Sequence, residues 1–136
     1  RHGIKAILDP HTTPGTQGVT TTLPTDPLWR DFFWHDQLIR LWDFLARRYS
    51  QRGPVIAGYD LLNEPSPPLG PNTRGTPADW NLLVRKLAAT IRAVDTTHTL
   101  VVEFPIFPNV PGGLPPVDDM VNYLEIIDDP NTVYSV

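Results

Sequence analysis

Residues 55–65 of the chain read VIAGYDLLNEP, an apolar run that ends in an amide, a carboxyl group and a proline. A glycine and a proline precede the run, so its length and composition predict a fully buried strand of a parallel sheet. In α/β folds, side chains that follow the carboxyl ends of such strands bind ligands and carry out catalysis. Asn63 and Glu64 occupy that position. The alternative is a loop glutamate that merely follows a core strand.

The composition of the chain excludes several classes of function. The 136 residues are 40% hydrophobic and 19% charged, which is typical of a single globular domain. The net charge is −4 and no basic run occurs, so nucleic acid is not an expected partner. The absence of cysteine excludes disulfides, zinc–cysteine clusters and a cysteine nucleophile. No apolar stretch approaches the ~20 residues of a membrane-spanning helix.

Strands and helices are predicted to alternate along the chain. Apolar runs predict buried strands at residues 4–8, 55–62, 99–104 and 132–136. Helical periodicity predicts helices at residues 28–50 and 77–94 and a shorter one at 117–124. Asp26 is the predicted cap of the first helix, and Thr76 opens a capping box for the second. The alternation indicates an α/β fold with a parallel sheet and right-handed crossovers.

The prolines cluster in the segments that follow strands. Fourteen of the 16 prolines fall in residues 10–27, 65–77 and 105–116, whereas the connections from helix back to strand are short. Long, rigid loops therefore gather at the carboxyl-end face of the sheet. A (β/α)8 barrel has its active site on that face, and a doubly wound sheet shows a similar asymmetry. The pattern predicts a functional face without deciding between the two.

Three stretches of the chain resemble glycoside hydrolase family 5, the cellulase family of retaining β-glycosidases. Residues 45–49, LARRY, and residues 55–65 match a helix ending in LAxRY and a fourth barrel strand that reads GYDLLNEP. Residues 4–15, IKAILDPHTTPG, resemble the third strand and its DxHxxPG end. Residues 129–136, DPNTVYSV, resemble the sixth strand. The resemblance covers nearly the whole chain and implies a partial (β/α)8 TIM barrel covering about strands 3 to 6.

On this resemblance, residues 1–136 are a fragment of a single glycoside hydrolase catalytic domain. The chain opens at Arg1 without an initiator Met or a signal peptide and closes inside a predicted strand, as a fragment would. In the family, the nucleophilic glutamate ends the seventh strand, which is not among the strands matched. We therefore expect the isolated chain to be inactive, and poorly soluble or self-associating because two sheet edges are unpaired.

The resemblance also implies the activity and partners of the parent enzyme. It implies an endo-β-1,4-glucanase-like hydrolase that cleaves β-linked glucan, or a related polysaccharide, by retaining double displacement. Mannanase, exo-β-glucanase and glycosylceramidase activities occur among relatives, and a non-catalytic carbohydrate-binding α/β domain is the alternative from another class. No metal or organic cofactor is implied. Because members of the family are mostly exported, a secreted, extracellular enzyme is expected.

Three residues match functional positions of the family. Glu64 matches the acid/base, Asn63 the amide that hydrogen-bonds the sugar 2-hydroxyl, and His11 the substrate-side histidine. Retaining hydrolysis needs two carboxyl groups about 5–5.5 Å apart. Pro65 is expected to restrict Glu64 to an extended backbone. Pro10 departs from the family pattern and predicts an early end of its strand and a displaced His11.

Further expectations concern the residues around this site. Strict strand alternation would direct Asn63 and Glu64 to opposite faces, so both reach one site only if the strand curls out of register as it ends. Glu103 also ends a predicted strand. If the family resemblance were spurious, Glu64 and Glu103 would be the candidate carboxylate pair. Under the resemblance, Glu103 is expected to be structural or a secondary substrate contact. Tryptophan packing is favoured over sugar stacking, with Trp42, Phe32 and Phe44 expected in the core. Phe107 is the candidate subsite wall.

Overall fold

A computed structural model of the chain describes residues 3–16, 26–68, 73–106 and 123–135. Within these residues the elements, in chain order, are β1 (Ala6–Leu8), α1 (Phe32–Tyr49), β2 (Ile56–Asp60), α2 (Trp80–Arg92), β3 (Thr99–Glu103) and β4 (Thr132–Ser135). A 3-10 turn, Pro27–Trp29, precedes α1. The alternation confirms the predicted α/β class. Phe107 and most of the predicted helix at 117–124 lie outside the described residues.

The four strands form one parallel sheet in the order β1-β2-β3-β4. Each strand therefore pairs with its neighbours along the chain, as consecutive strands of a barrel do, whereas a doubly wound sheet reverses its strand order. Right-handed crossovers between sequential strands place their helices on one face of the sheet. The contact between α1 and α2 agrees with that arrangement. The sheet order thus favours the barrel over the doubly wound alternative.

The hydrophobic core lies between this sheet and the two helices. It comprises fully buried side chains from β2, β3 and both helices, including Tyr59, Leu100, Trp42, Leu38, Leu83 and Leu87. On the opposite face of the sheet, Ile7 of β1 is 54% exposed and Val133 of β4 is 53% exposed. Because strand side chains alternate between faces, this second face also carries Asp60 and Glu103. No helix in the described part of the chain is long and apolar enough to cross a membrane.

Both helices start later than predicted, and each is capped by a different residue. Asp26 precedes the 3-10 turn and makes no side-chain cap hydrogen bond, whereas Asp31 caps α1 by accepting from the Phe33 N–H at 2.9 Å. Asp79 caps α2 by accepting from the Leu82 N–H at 3.0 Å. The predicted caps were wrong because an acidic residue nearer each helix satisfies its free amide groups.

Candidate active site

The chain leaves the sheet between the ends of β1 and β3. β2 ends at Asp60, two residues before the predicted end, but the Leu61 N–H still donates to the Val101 carbonyl at 3.0 Å. Two residues later, the Asn63 N–H contacts the Pro10 carbonyl at 3.5 Å. The residues that follow β2 are thus fixed to both neighbouring strand ends, at the carboxyl-end face of the sheet.

Asn63 and Glu64 line the same cavity. Its volume is about 250 Å³, and its other lining residues are Glu103, Phe104, Ile106 and Ser135. Strict alternation would have separated the two side chains, and the left-handed backbone at Glu64 departs from that alternation. The structure therefore brings together the predicted acid/base, the predicted sugar-binding amide and the second strand-terminal glutamate.

Glu64 has a left-handed backbone, with φ of +45°. The expectation that Pro65 would make it extended is wrong. Such a conformation costs a non-glycine residue about 1–3 kcal/mol and persists only where surrounding contacts enforce it. Two contacts do so here: the Glu64 N–H donates to Oε2 of Glu103 at 2.7 Å, and the Ile106 N–H donates to the Pro65 carbonyl at 2.7 Å.

Asp60 lies beside this glutamate pair on the same face of the sheet. Burial, reinforced by the carboxylates of Glu103 and Asp9, raises the pKa of Asp60 to about 7, against the opposing hydrogen bond from the Leu62 N–H. Its Oδ1 has no hydrogen-bond partner among the described residues. The described residues contain no group of three or more side chains arranged to hold a metal ion.

His11 lies apart from the cavity that Asn63 and Glu64 share. Its strand, β1, ends at Leu8, and the His11 side chain is 72% exposed with Nδ1 2.9 Å from Oδ2 of Asp9. It is not among the residues that line the cavity. The structure brings Asn63 and Glu64 into one site and places His11 near the end of the adjacent strand.

Two buried tryptophans support the backbone of the site, whereas the sequence analysis favoured only packing for them. The indole N–H of Trp42 donates to the Leu61 carbonyl at 3.0 Å, and that of Trp80 donates to the Glu103 carbonyl at 3.1 Å. Trp29 packs edge-on against Trp80, with ring centroids 6.2 Å apart. The helical spacing predicted the burial of Trp42, but no sequence signal identified these carbonyl partners. Phe32 is 37% exposed and Phe44 is 59% exposed, so their predicted places in the core are wrong.

The whole chain matches one protein family. The model of the family described as Cellulase (glycosyl hydrolase family 5) matches residues 1–136. Endoglucanase C of Acetivibrio thermocellus is 31% identical over 100 residues, covering 74% of this chain and 26% of that protein. A β-xylosidase of Phanerodontia chrysosporium is 39% identical over 74 residues, covering 50% of this chain and 15% of that protein. The chain thus spans about a quarter or less of these relatives.

Solved structures share the fold. Thermotoga maritima Cel5A, in complex with cellobiose, superposes with a TM-score of 0.63 at 18% identity and covers 97% of this chain and 37% of its own. The cellulose synthase subunit Z of Clostridioides difficile superposes with a TM-score of 0.62 at 19% identity, and the match covers 94% of this chain and 34% of that chain. The sheet is therefore part of a (β/α)8 barrel, about strands 3 to 6 as predicted. Since the family model matches every residue, the chain belongs to glycosyl hydrolase family 5, the cellulase family.

Proposed function

We propose that this chain is part of the catalytic domain of a retaining β-glycosidase that hydrolyses β-1,4-linked glucan, with Glu64 as its acid/base. The observation that supports the proposal most directly is the cavity that Asn63 and Glu64 share at the carboxyl-end face of the sheet. Active sites of (β/α)8 barrels lie on that face. The similarity to endoglucanase C supports a glucan as the substrate class.

In the proposed mechanism, Glu64 protonates the glycosidic oxygen as it leaves and then deprotonates the water that attacks the glycosyl-enzyme intermediate. Asn63 hydrogen-bonds the 2-hydroxyl of the sugar at the cleaved bond, a contact that strengthens in the transition state. His11 binds the sugar from the neighbouring strand end, with Asp9 orienting its ring. The nucleophilic carboxylate comes from residues outside this chain.

Glu103 is a poor candidate for the nucleophile. Its Oε2 accepts a hydrogen bond from the Glu64 backbone N–H at 2.7 Å. A nucleophile of this class instead directs a free oxygen at the anomeric carbon, about 5–5.5 Å from the acid/base carboxyl. We therefore do not assign Glu103 as the nucleophile and leave the covalent step to another residue.

The experiment that tests the role of Glu64 uses the full-length enzyme and its Glu64→Ala variant. Two aryl β-cellobiosides are compared: the 2,4-dinitrophenyl glycoside, whose leaving group needs no proton, and the phenyl glycoside, whose leaving group does. For the variant we expect kcat/KM to fall roughly 10²–10⁴-fold on the phenyl glycoside and far less on the other. Added azide should restore turnover of the dinitrophenyl glycoside and yield the β-cellobiosyl azide.

Glu125→Ala is the matched control, because Glu125 lies outside the cavity and pairs with Arg74 and Arg85. This variant should leave kcat/KM unchanged on both glycosides. Equal losses on the two glycosides for Glu64→Ala, without azide rescue, would refute the assignment.

A mannan substrate is the second candidate. Thermotoga maritima Cel5A has been solved with cellobiose and with mannotriose, so one enzyme with this fold accommodates both sugars. Comparing kcat/KM for aryl β-cellobioside and β-mannobioside decides between them. An excess of at least tenfold for the mannobioside would replace glucan as the proposed substrate.

Two further parts of the proposal concern the chain and its parent. We propose that residues 1–136 are inactive alone, since one carboxyl group cannot form the covalent intermediate, and that the parent enzyme is exported. Turnover of an aryl β-cellobioside by the isolated chain, abolished in Glu64→Gln, would contradict the first. Activity confined to the cells and absent from the medium would contradict the second.

A further inference from the structure

The end of β3 contacts the catalytic segment at two backbone positions. Oε2 of Glu103 accepts from the Glu64 N–H, and the Ile106 N–H donates to the Pro65 carbonyl, each at 2.7 Å. These bonds lie on either side of the residue whose backbone is left-handed. The backbone of Glu64 is therefore bonded to a residue 39 positions further along the chain.

Glu103 is itself fixed from the helix side of the sheet. Its carbonyl accepts from the indole N–H of Trp80, which is fully buried in the core. The Phe104 N–H next to it donates to the Ser135 carbonyl of β4 at 2.9 Å. The backbone that carries the Glu103 carboxylate is thus bonded on both sides, while its side chain accepts from the Glu64 N–H.

We propose that Glu103 is a positioning residue, which directs the acid/base side chain of Glu64 by hydrogen-bonding its backbone, and that the buried Asp60 carboxyl, on the same face of the sheet, acts on Glu103. The role of Glu64 as acid/base rests on the proposed function. The backbone interaction does not.

Asp60 can act in this way because of the groups that face it. Glu103 of β3 and Asp9 beyond β1 are the charged groups that raise its pKa, and the Leu62 N–H opposes them. Within the described residues, no arginine or lysine pairs with Asp60 or Glu103. Burial and the neighbouring carboxylates favour the protonated form of the Asp60 carboxyl. When that proton is lost, two adjacent negative charges weaken the arrangement.

The direct test is the Glu64 amide resonance in the full-length enzyme labelled with ¹⁵N-glutamate, assigned by its loss in Glu64→Gln. An N–H that donates to a carboxylate resonates downfield. We expect an upfield shift in Glu103→Leu and a smaller one in Glu103→Gln, because the amide oxygen of Gln can still accept. No shift in Glu103→Leu would overturn the proposal.

The role of Asp60 is tested by titrating the same resonance with pH. In the wild type it should titrate near pH 7. Asp60→Asn should abolish this titration, and Glu103→Gln should lower its midpoint, because removing the Glu103 charge lowers the pKa of Asp60. Both substitutions nearly conserve volume, so they serve even if Glu103→Leu does not fold. A titration that persists unchanged in Asp60→Asn and Glu103→Gln would overturn the proposal.

Kinetics separate positioning from general support of the fold. Glu103→Leu should lower kcat/KM on phenyl β-cellobioside roughly 10- to 100-fold, and by much less on the 2,4-dinitrophenyl glycoside, because only the first needs a well-directed acid. Glu103→Gln should recover most of the loss. Equal losses on both substrates would show a merely structural role. If Glu64→Ala itself lacks this leaving-group dependence, the proposed function fails, and the amide resonance still decides the role of Glu103.

Discussion

The buried indole of Trp42 donates its N–H to the Leu61 carbonyl at 3.0 Å, and so connects α1 to the chain two residues before Asn63. Trp42 is fully buried and its ring packs against Tyr59 of β2, with centroids 5.5 Å apart. This one side chain thus contributes both to the core and to the backbone geometry of the candidate active site.

Trp42→Phe should reveal the contribution of this hydrogen bond. The substitution keeps an aromatic ring but leaves a buried carbonyl without its donor and a small void, so we expect a loss of about 2–4 kcal/mol in the free energy of unfolding. Urea denaturation of the full-length enzyme measures it. Phe44→Leu on the exposed face of the same helix is the control and should change stability by less than about 0.5 kcal/mol. Similar losses in both variants would contradict the argument.

Asp95 should make stability depend on acid pH. Burial raises its pKa, but hydrogen bonds from the Thr97 and His98 N–H groups and the Tyr59 hydroxyl outweigh it and lower the pKa to about 2. The stabilisation is therefore complete above the unfolded value near 4 and is lost as the pH falls toward 2. Its size is about 2 kcal/mol.

Asp95→Asn should flatten the stability profile between pH 4 and pH 2 and lower stability at pH 7, as measured by thermal unfolding across that range. Asp36→Asn, an exposed substitution on α1, is the control and should follow the wild-type profile. A steep decline below pH 4 that remains unchanged in Asp95→Asn would show that other carboxyl groups cause it.

Arg92 should not tolerate lysine. Its guanidinium contacts both carboxylate oxygens of Asp129, at 2.5 and 3.2 Å, and donates to the carbonyls of Asp95, His98 and Asn131. Lysine presents one point charge and cannot reproduce this planar set of donors, so Arg92→Lys should cost about 1–3 kcal/mol. Arg47→Lys, in an exposed ion pair with Asp43, should leave the unfolding midpoint unchanged. Equal effects would contradict the prediction.

Gly15 should be sensitive to alanine for two separate reasons. Its φ is +84°, and an added Cβ would lie 2.8 Å from Cγ of Trp34. Gly75 has a φ of +73° but open space around it, and Gly53 has open space without a positive φ. We therefore expect alanine to cost most at Gly15, about 1 kcal/mol at Gly75 and nothing at Gly53, by thermal unfolding. A loss at Gly75 as large as that at Gly15 would show that the contact with Trp34 contributes nothing, and a loss at Gly53 would contradict both causes.

Asn63→Ala should weaken transition-state binding through one sugar hydroxyl. If Asn63 bonds the 2-hydroxyl, the variant should lose roughly 10²-fold or more in kcat/KM on an aryl β-cellobioside of the full-length enzyme. The loss should nearly vanish when the substrate is the 2-deoxy analogue, which lacks the partner. A loss of the same size on both substrates would place Asn63 elsewhere in the mechanism.

The sequence predicted the strands well, because strands depend on local patterns. The apolar run before Asn63 predicts a buried strand, and the centres of all four strands agree with the structure within one or two residues. The Asn63–Glu64 pair follows its strand as expected.

The remaining features depend on residues distant in the chain. The local effect of Pro65 favours an extended Glu64, but a hydrogen bond to Glu103, 39 residues away, produces the opposite backbone. The raised pKa of Asp60 likewise arises from burial and from carboxylates on neighbouring strands. The cap of α1 was misplaced for a local reason, since Asp26 and Asp31 both precede the helix and the proline after Asp26 favoured the earlier one.

The bond from the Ile106 N–H to the Pro65 carbonyl joins the segments that follow β2 and β3 through main-chain groups only. Such a contact needs no particular side chain at either position, because every residue has a carbonyl and every residue except proline has an N–H. The tie between the two segments is therefore tolerant of sequence change at residue 106, with proline as the exception.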